Sequence, residues 1–185
     1  AAKIYRWHPE EGLTVLVEES HKANGNTYDR EGRLVTCEHL TSSVIRRRAD
    51  GTGREVLVSR YNGKELNSPN DIVVKSDGAI YFTDPTFGRK GPNANKYGRA
   101  REQELDFQGV YRFDPHTGTL TLLASDFEAP NGLCFSLDEK RLFVNDSRRF
   151  HIRVFDVRPD GTLENGRIWA ETKGDGPGGP DGMKL

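Results

Sequence analysis

The chain has 185 residues, enough for one domain with a substantial core. Its 27 Lys and Arg residues nearly balance 28 Asp and Glu residues, so a net charge of −1 provides no electrostatic footprint for DNA, RNA or an anionic membrane. Hydrophobic residues make up 34 % and glycines number 20, which is typical of short strands joined by many turns. We therefore expect an all-β protein with neither nucleic acid nor membrane as a partner.

The chain opens with a strand pattern and then begins a repeated unit of four strands. Residues 3–17 predict the last two strands of one unit. The first recognisable copy begins at Asn24, with acidic or Gly-containing turns between its strands. Its strands are predicted over 24–29, 33–38 and 44–47, with a turn over 50–53 leading into the fourth.

The second copy begins at Asn70 and carries one insertion. Its strands are predicted over 70–74, 79–84, 109–114 and 119–123. Residues 88–108 are polar, with Gly, Asn, Lys and Arg, and predict a loop between the second and third strands.

The third copy begins at Asn131, and a fourth at Asp181 is cut off. Strands of the third copy are predicted over 131–135, 141–146 and 151–156, before a turn over 159–161. The four starts lie 46, 61 and 50 residues apart, and the insertion accounts for the long interval. Four-stranded propeller blades repeat every ~40–50 residues, so we expect residues 1–185 to be a single β-propeller domain. About three full blades and parts of two more would be present, with the propeller truncated at both ends.

Two minor features have simple predictions. The run Arg46-Arg47-Arg48 is the only basic cluster, and we expect it on a solvated strand face or turn. Cys37 and Cys134 each lie in an apolar strand pattern and predict buried free thiols.

The starts of the last three copies carry oxygen-bearing side chains at the same phase of the repeat. These are Asn70 in Pro-Asn-Asp, Asn131 in Pro-Asn-Gly and Asp181 in Pro-Asp-Gly. Equivalent positions of successive blades lie around the central channel at one end, so we expect the three side chains to converge. Amide and carboxylate oxygens suit a hard divalent cation, Ca²⁺ first, with Mg²⁺, Mn²⁺ or Zn²⁺ as alternatives. The simpler interpretation is that Asn and Asp beside Pro and Gly only form turns.

These segments resemble the gluconolactonase and senescence-marker-protein (regucalcin) family. The resemblance rests on residues 66–74, 76–78 and 81–85, on the Gly32 to His39 segment, and on the Pro-Asn-Gly and Pro-Asp-Gly starts. It covers nearly the whole chain in order. It implies a six-bladed β-propeller hydrolase that uses one divalent cation to open a small-molecule lactone.

The resemblance also implies residue roles. Asn131 and Asp181 would bind the metal, Asp181 would also carry the catalytic proton, and Asn70 would contact substrate close to the metal. Two departures stand out: the family's first metal ligand, a Glu in Glu-Gly-Pro, has no counterpart, and Ser68 replaces a substrate-binding Arg. We therefore expect an incomplete metal site in this stretch of chain and altered sugar-lactone recognition at Ser68.

Two further side chains follow second strands of their blades and are candidates for substrate binding. His39 is expected to face the channel, with a structural hydrogen-bonded His as the alternative. Asp84 precedes Pro85 and is either a pocket residue or a turn former, and Asp146 lies at the same phase.

Two rival functions remain open. The same fold and metal site can hydrolyse phosphotriesters or aryl esters, since polarising P=O or C=O requires the same groups. A propeller can also be a non-catalytic protein-binding platform, which predicts neither metal nor hydrolysis. Neither a Gly-x-Ser-x-Gly nucleophile motif nor a phosphate-binding glycine loop occurs in the sequence.

Overall fold

The computed structural model describes residues 2–176 and 178–185 and consists mainly of antiparallel strands. The chain opens with a hairpin of β1 (Ile4–His8) and β2 (Gly12–Val17), as expected. Gly12 has φ +70° and closes the tight turn between them, a conformation that glycine adopts without steric cost. Ile4 lies opposite Val17, and both pack against Leu34 of the sheet that follows.

The first four-stranded sheet contains β3 (Ala23–Tyr28), β4 (Leu34–Glu38), β5 (Ser43–Arg47) and β6 (Glu55–Val58) in sequential order. Strand β4 is buried along its whole length because it is central in the sheet and covered on both faces.

A small hairpin that the sequence analysis did not predict follows this sheet. It pairs β7 (Arg60–Tyr61) with β8 (Lys64–Glu65). Asn62 and Gly63 have φ of +50° and +80°, which is the signature of a type I′ hairpin turn. The hairpin connects the first two four-stranded sheets.

The second four-stranded sheet contains β9 (Ile72–Val74), β10 (Ile80–Asp84), β11 (Gln108–Asp114) and β12 (Thr119–Phe127). The predicted insertion lies between β10 and β11. It includes one short helix, α1 (Ala94–Tyr97), within an otherwise irregular segment.

The third sheet contains β13 (Pro130–Phe135), β14 (Arg141–Asp146), β15 (His151–Val157) and β16 (Leu163–Glu171). Each sheet is a meander whose first strand begins close to a predicted copy start. The three sheets are propeller blades, so the all-β propeller expectation is confirmed. The segment predicted to begin a fourth blade, residues 179–183, is described but carries no strand.

Aromatic and branched side chains fill the spaces between blades. One cluster joins the first and second sheets, where Phe82 stacks on Tyr111 with ring centroids 5.2 Å apart. Another joins the second and third sheets, where Tyr81 meets Phe135 edge to face. The Tyr81 hydroxyl also donates to the Gly161 carbonyl at 2.9 Å, linking neighbouring blades with a polar contact.

No helix in the described ranges is both long enough and apolar enough to span a membrane.

A buried ion triad corrects the expectation of a solvated arginine run at Arg47, while Arg48 is exposed as expected. Arg47 is only 3 % exposed, and its guanidinium donates to the fully buried Glu38 at 2.8 Å. Arg54 donates to the other oxygen of Glu38 at 2.7 Å. Burial raises the pKa of Glu38, but hydrogen bonds from Arg54, Thr41 and Arg47 outweigh it and hold that pKa below its usual value. Arg47 is buried because β5 lies between β4 and β6 in its blade and a carboxylate is available to pair with the guanidinium.

The prediction of free thiols is right for both cysteines, and the prediction of burial is right for Cys37 only. Both thiols are free, and Cys37 is fully buried, whereas Cys134 is half-buried near the end of β13.

The triad yields a stability prediction. Glu38→Ala should lower the free energy of unfolding by about 3–5 kcal/mol, because Arg47 would keep a buried charge without its partner. Glu55→Ala in the same blade is the matched control, since Glu55 forms an exposed pair with Arg46 and should cost under about 1 kcal/mol. Urea denaturation of both variants checks this, and equal losses would contradict the burial argument.

Candidate active site

The polar residues at the starts of successive repeat copies surround one pocket with a volume of about 440 Å³. Asn24, Asn70, Asn131 and Asp181 all line it. Asn24 and Asn131 are the second residues of β3 and β13, and Asn70 lies two residues before β9. Asp181 holds the same phase of the repeat in a segment without a strand, so the repeat brings residues 46 to 61 positions apart in sequence to one place. His39 also lines this pocket. Four of the predicted site residues are thus brought together.

Asn131 presents an unsatisfied oxygen. Its side-chain Nδ2 donates to Ser147 Oγ at 2.9 Å, while its Oδ1 is buried without a hydrogen-bond partner among the described residues. Buried polar atoms in native proteins are almost always paired, and an orphaned acceptor costs about 1–3 kcal/mol. An acceptor held in this way beside a pocket is available to a ligand.

Asp181 is held by its backbone, and its carboxylate has no hydrogen-bond partner among the described residues. Asn145 Nδ2 donates to the Asp181 carbonyl oxygen at 2.6 Å, and Ser147 Oγ donates to the preceding Pro180 carbonyl at 2.6 Å. Gly132 lies directly beneath, where an added Cβ would overlap the Asp181 carbonyl oxygen and lie 2.6 Å from the Met183 nitrogen. The glycine of Pro-Asn-Gly therefore lets the two site segments approach each other closely.

Asn70 is 4 % exposed and is held by its main chain. Its N–H donates to the Thr83 carbonyl at 2.8 Å, and its carbonyl accepts from the Gly25 N–H at 2.7 Å. The backbone of Asn70 is thereby fixed at the pocket edge by contacts to two blades.

His39 is buried and neutral at physiological pH. Its pKa is lowered to about 4, mainly by burial and also by the nearby Lys22 ammonium, against a hydrogen bond with the Tyr97 backbone that raises it. Asn24 Nδ2 lies 3.3 Å from His39 Nε2. A neutral ring that accepts there carries its proton on Nδ1. His39 is therefore a hydrogen-bonded wall of the pocket with a basic nitrogen facing Asn24.

Ser68 and Asp84 lie behind the pocket wall rather than on it. Ser68 is fully buried; its hydroxyl donates to the Pro85 carbonyl at 2.5 Å and accepts from the Gly88 N–H at 3.0 Å. Asp84 is also fully buried, and its carboxylate accepts from the Asn67 N–H at 2.8 Å. Desolvation raises the pKa of Asp84 to about 7, although backbone hydrogen bonds from Asn67 and Ser68 lower it. Both residues anchor the segment that leads into Asn70.

The insertion provides pocket residues that the sequence did not indicate. Lys96 and Tyr97 of the insertion line the pocket together with Phe87, which directly precedes the insertion. Lys22 holds this segment by donating to the carbonyls of Asn95 and Gly98 at 2.5 and 3.0 Å. The polar composition of the insertion carries no periodicity, so nothing in the sequence could show which of its side chains turn inward. Asn24 was predicted as a blade start, and its phase was the signal that could have marked it as a pocket residue.

The available donors fit a hard cation. The pocket offers the amide groups of Asn70 and Asn131 and the carboxylate of Asp181, a set of oxygen ligands typical of Ca²⁺. Within residues 2–176 and 178–185, no cluster of three His, Cys, Asp or Glu side chains is placed to hold a metal ion. Any cation bound by these residues would therefore depend on amide oxygens, and Asn131 Oδ1 is one that is buried without a partner among the described residues.

The burial of His39 predicts a pH-dependent contribution to stability. Its pKa is lower in the folded chain, about 4, than the unfolded value of about 6.5, so the unfolded chain binds a proton that the folded chain does not. The contribution is complete above pH ~6.5 and is lost as pH falls toward about 4, by at most about 3 kcal/mol.

We expect the stability advantage of wild type over His39→Gln to shrink across that range. Urea unfolding at several pH values measures it, and His8→Gln, at an exposed position, is the control. The measured quantity is the difference in unfolding free energy between wild type and His39→Gln. Asp84, whose raised pKa gives it an overlapping titration range, is present in both proteins, so its contribution cancels. A difference that stays constant with pH would show that His39 does not contribute in this way.

Comparisons with known proteins agree with this architecture. Residues 1–185 match the family described as the SMP-30/gluconolactonase/LRE-like region. A gluconolactonase of Xanthomonas campestris superposes with a TM-score of 0.87 at 40 % identity, over 97 % of this chain and 58 % of its own. Regucalcin of Agrobacterium tumefaciens, a calcium-binding protein, superposes with a TM-score of 0.69 at 17 % identity, over 97 % of this chain and 55 % of its own, and shows the shared fold alone.

A curated relative gives the same result from sequence. The gluconolactonase of Zymomonas mobilis is 30 % identical over 157 residues, which is 78 % of this chain and 42 % of the relative. The chain spans about half the length of these relatives. Since the family matches over the whole of its length, the chain belongs to the SMP-30/gluconolactonase/LRE-like family.

Proposed function

We propose that this chain carries part of the active site of a hydrolase that uses a divalent cation to open a lactone. The observation that carries the proposal is the pocket itself. Phase-equivalent oxygen-bearing side chains from successive blade starts line it, and Asn131 Oδ1 is buried there with no partner in the part of the chain that the structure describes. Similarity to gluconolactonases supports lactones as the substrate class.

Asn70, Asn131 and Asp181 are the residues that would hold the cation, and Ca²⁺ is the ion their oxygens suit best. When bound, such an ion supplies Lewis-acid polarisation of the substrate carbonyl and stabilises the developing oxyanion.

The chain's own groups then handle the proton and the substrate. Asp181, whose side chain is exposed at the pocket, takes a proton from the water that attacks the lactone carbonyl carbon. The bond between that carbon and the ring oxygen breaks, and Asp181 returns the proton to the ring oxygen, giving an open-chain hydroxy acid. Asn70 orients the substrate, while neutral His39 and the insertion residue Tyr97 line its far side.

Activity of the full-length protein is the direct test. A pH-stat assay should detect acid release from gluconolactone that stops on chelation and returns with Ca²⁺. Phenyl acetate and a phosphotriester belong in the same panel, because faster turnover of either would favour the esterase or phosphotriesterase alternative. A binding platform would hydrolyse none of them.

Substitutions in the site should have graded effects. Asp181→Ala and Asp181→Asn should both lower kcat/KM by about 10²–10⁴-fold at saturating Ca²⁺, since both remove the proton carrier and a ligand charge. Asn131→Ala removes a neutral ligand, so its activity should recover in part as Ca²⁺ is raised. Steady-state kinetics against Ca²⁺ concentration measures all three. Near-wild-type turnover of Asp181→Ala at saturating metal would rule out the proposed role.

A further inference from the structure

Ser147 stands at the junction of the two segments that would bind the cation. It directly follows β14 and is half-buried. Its hydroxyl accepts from Asn131 Nδ2 at 2.9 Å and donates to the Pro180 carbonyl at 2.6 Å. One side chain therefore touches both the Pro-Asn-Gly and the Pro-Asp-Gly segments.

The direction of these bonds determines how Asn131 is oriented. A hydroxyl has one hydrogen, and the Pro180 carbonyl, which can only accept, uses it. Toward Asn131 the serine oxygen can therefore only accept, so the amide must present Nδ2 to Ser147. The opposite end, Oδ1, is then forced away from Ser147, and it is the atom that lacks a partner. A flipped amide would set two acceptors against each other and turn a donor to the cation.

The platform beneath Ser147 is rigid. The Ser147 N–H donates to the Ala129 carbonyl at 3.0 Å. The neighbouring Asp146 carboxylate is buried and accepts from four backbone N–H groups, at distances of 2.7–3.1 Å; these belong to Glu128, Ala129, Arg148 and Arg149. Asp146, left open between a turn and a pocket role, thus fixes the backbone that carries Ser147.

The Asp181 side of the junction has a parallel tether. Asn145, two residues before Ser147, donates to the Asp181 carbonyl at 2.6 Å. The end of β14 therefore holds the backbone of residues 180 and 181 at two successive carbonyls, and the position of the Asp181 carboxylate depends on them.

We propose that Ser147 is a positioning residue that sets the Asn131 amide with its oxygen toward the cation and holds the Asp181 segment beside it. This inference rests on the proposed function. Groups that orient metal ligands typically change metal affinity by about 10–100-fold when removed.

Ca²⁺ affinity of the full-length protein, measured by calorimetry, tests the proposal. Ser147→Ala should raise the Kd for Ca²⁺ by about 10–100-fold, and Ser147→Thr, which keeps the hydroxyl, should restore most of the affinity. Ser136→Ala is the matched control. Its hydroxyl bonds Asp138 and the Arg141 backbone at the opposite end of the same blade, so Ca²⁺ affinity should not change.

A second measurement does not depend on the cation. In chelated protein, amide hydrogen exchange of residues 178–185 should speed up in Ser147→Ala and stay unchanged in Ser136→Ala. A folded Ser147→Ala protein that binds Ca²⁺ like wild type would overturn the proposal and leave the proposed function intact. Wild type that binds no Ca²⁺ would overturn both, so measuring it first distinguishes the two failures.

Discussion

The site depends on how closely the backbone of one blade approaches the next blade near the start of each blade's first strand. The Gly25 N–H donates to the Asn70 carbonyl at 2.7 Å, and a Cβ on Gly25 would lie 2.6 Å from that oxygen. Gly132 has the same role beneath Asp181. Any larger residue would push the neighbouring blade outward, because backbone atoms cannot move aside as the end of a flexible side chain can. These contacts determine the spacing of the pocket's oxygen-bearing side chains.

Asp71 replaces the glycine at the start of the second blade and makes the connection with its side chain. One oxygen accepts from the Ile72 N–H at 2.9 Å, and the other accepts from the Leu133 N–H of the next blade at 3.2 Å. The Thr83 hydroxyl donates to the Asn131 carbonyl at 2.8 Å across the same boundary. The first strands of neighbouring blades are therefore joined by hydrogen bonds at their starts, and the blades are joined by apolar packing away from the pocket. Because the hydrogen-bonded contacts are confined to the strand starts, polar residues can be buried around the pocket without disturbing the apolar core.

Two buried side-chain oxygens near the pocket nevertheless lack hydrogen-bond partners among the described residues. Around the pocket, Asn131 Oδ1 and Asn145 Oδ1 are buried without partners among the described residues, although the nitrogens of both amides are bonded. Retaining such acceptors costs stability, and the cost is recovered when a ligand, an ion or an ordered water satisfies them. The insertion adds a wall that is irregular but held firmly. The buried guanidinium of Arg89 and that of Arg101 both pair with Glu65 at 2.9 Å.

Turn chemistry and strand periodicity were enough to predict the blades and the phase of Asn70, Asn131 and Asp181, because both are local properties of the chain. Residues at the same phase of a repeat must meet when the blades stack, so the sequence also indicated which side chains would share a pocket.

What the sequence could not determine is the direction in which a side chain points once neighbouring blades are present. Ser68 and Asp84 were predicted to bind substrate, yet their side chains lie behind the pocket wall and bond backbone groups. Arg47 lies in a run of three arginines, yet it is buried because its guanidinium reaches the carboxylate of Glu38 on the adjacent strand. The inward-facing residues of the insertion, and Ser147 between Asn131 and Pro180, follow from contacts between segments distant in sequence. Only the tertiary structure decides such contacts, since they depend on relative blade positions that no local pattern encodes.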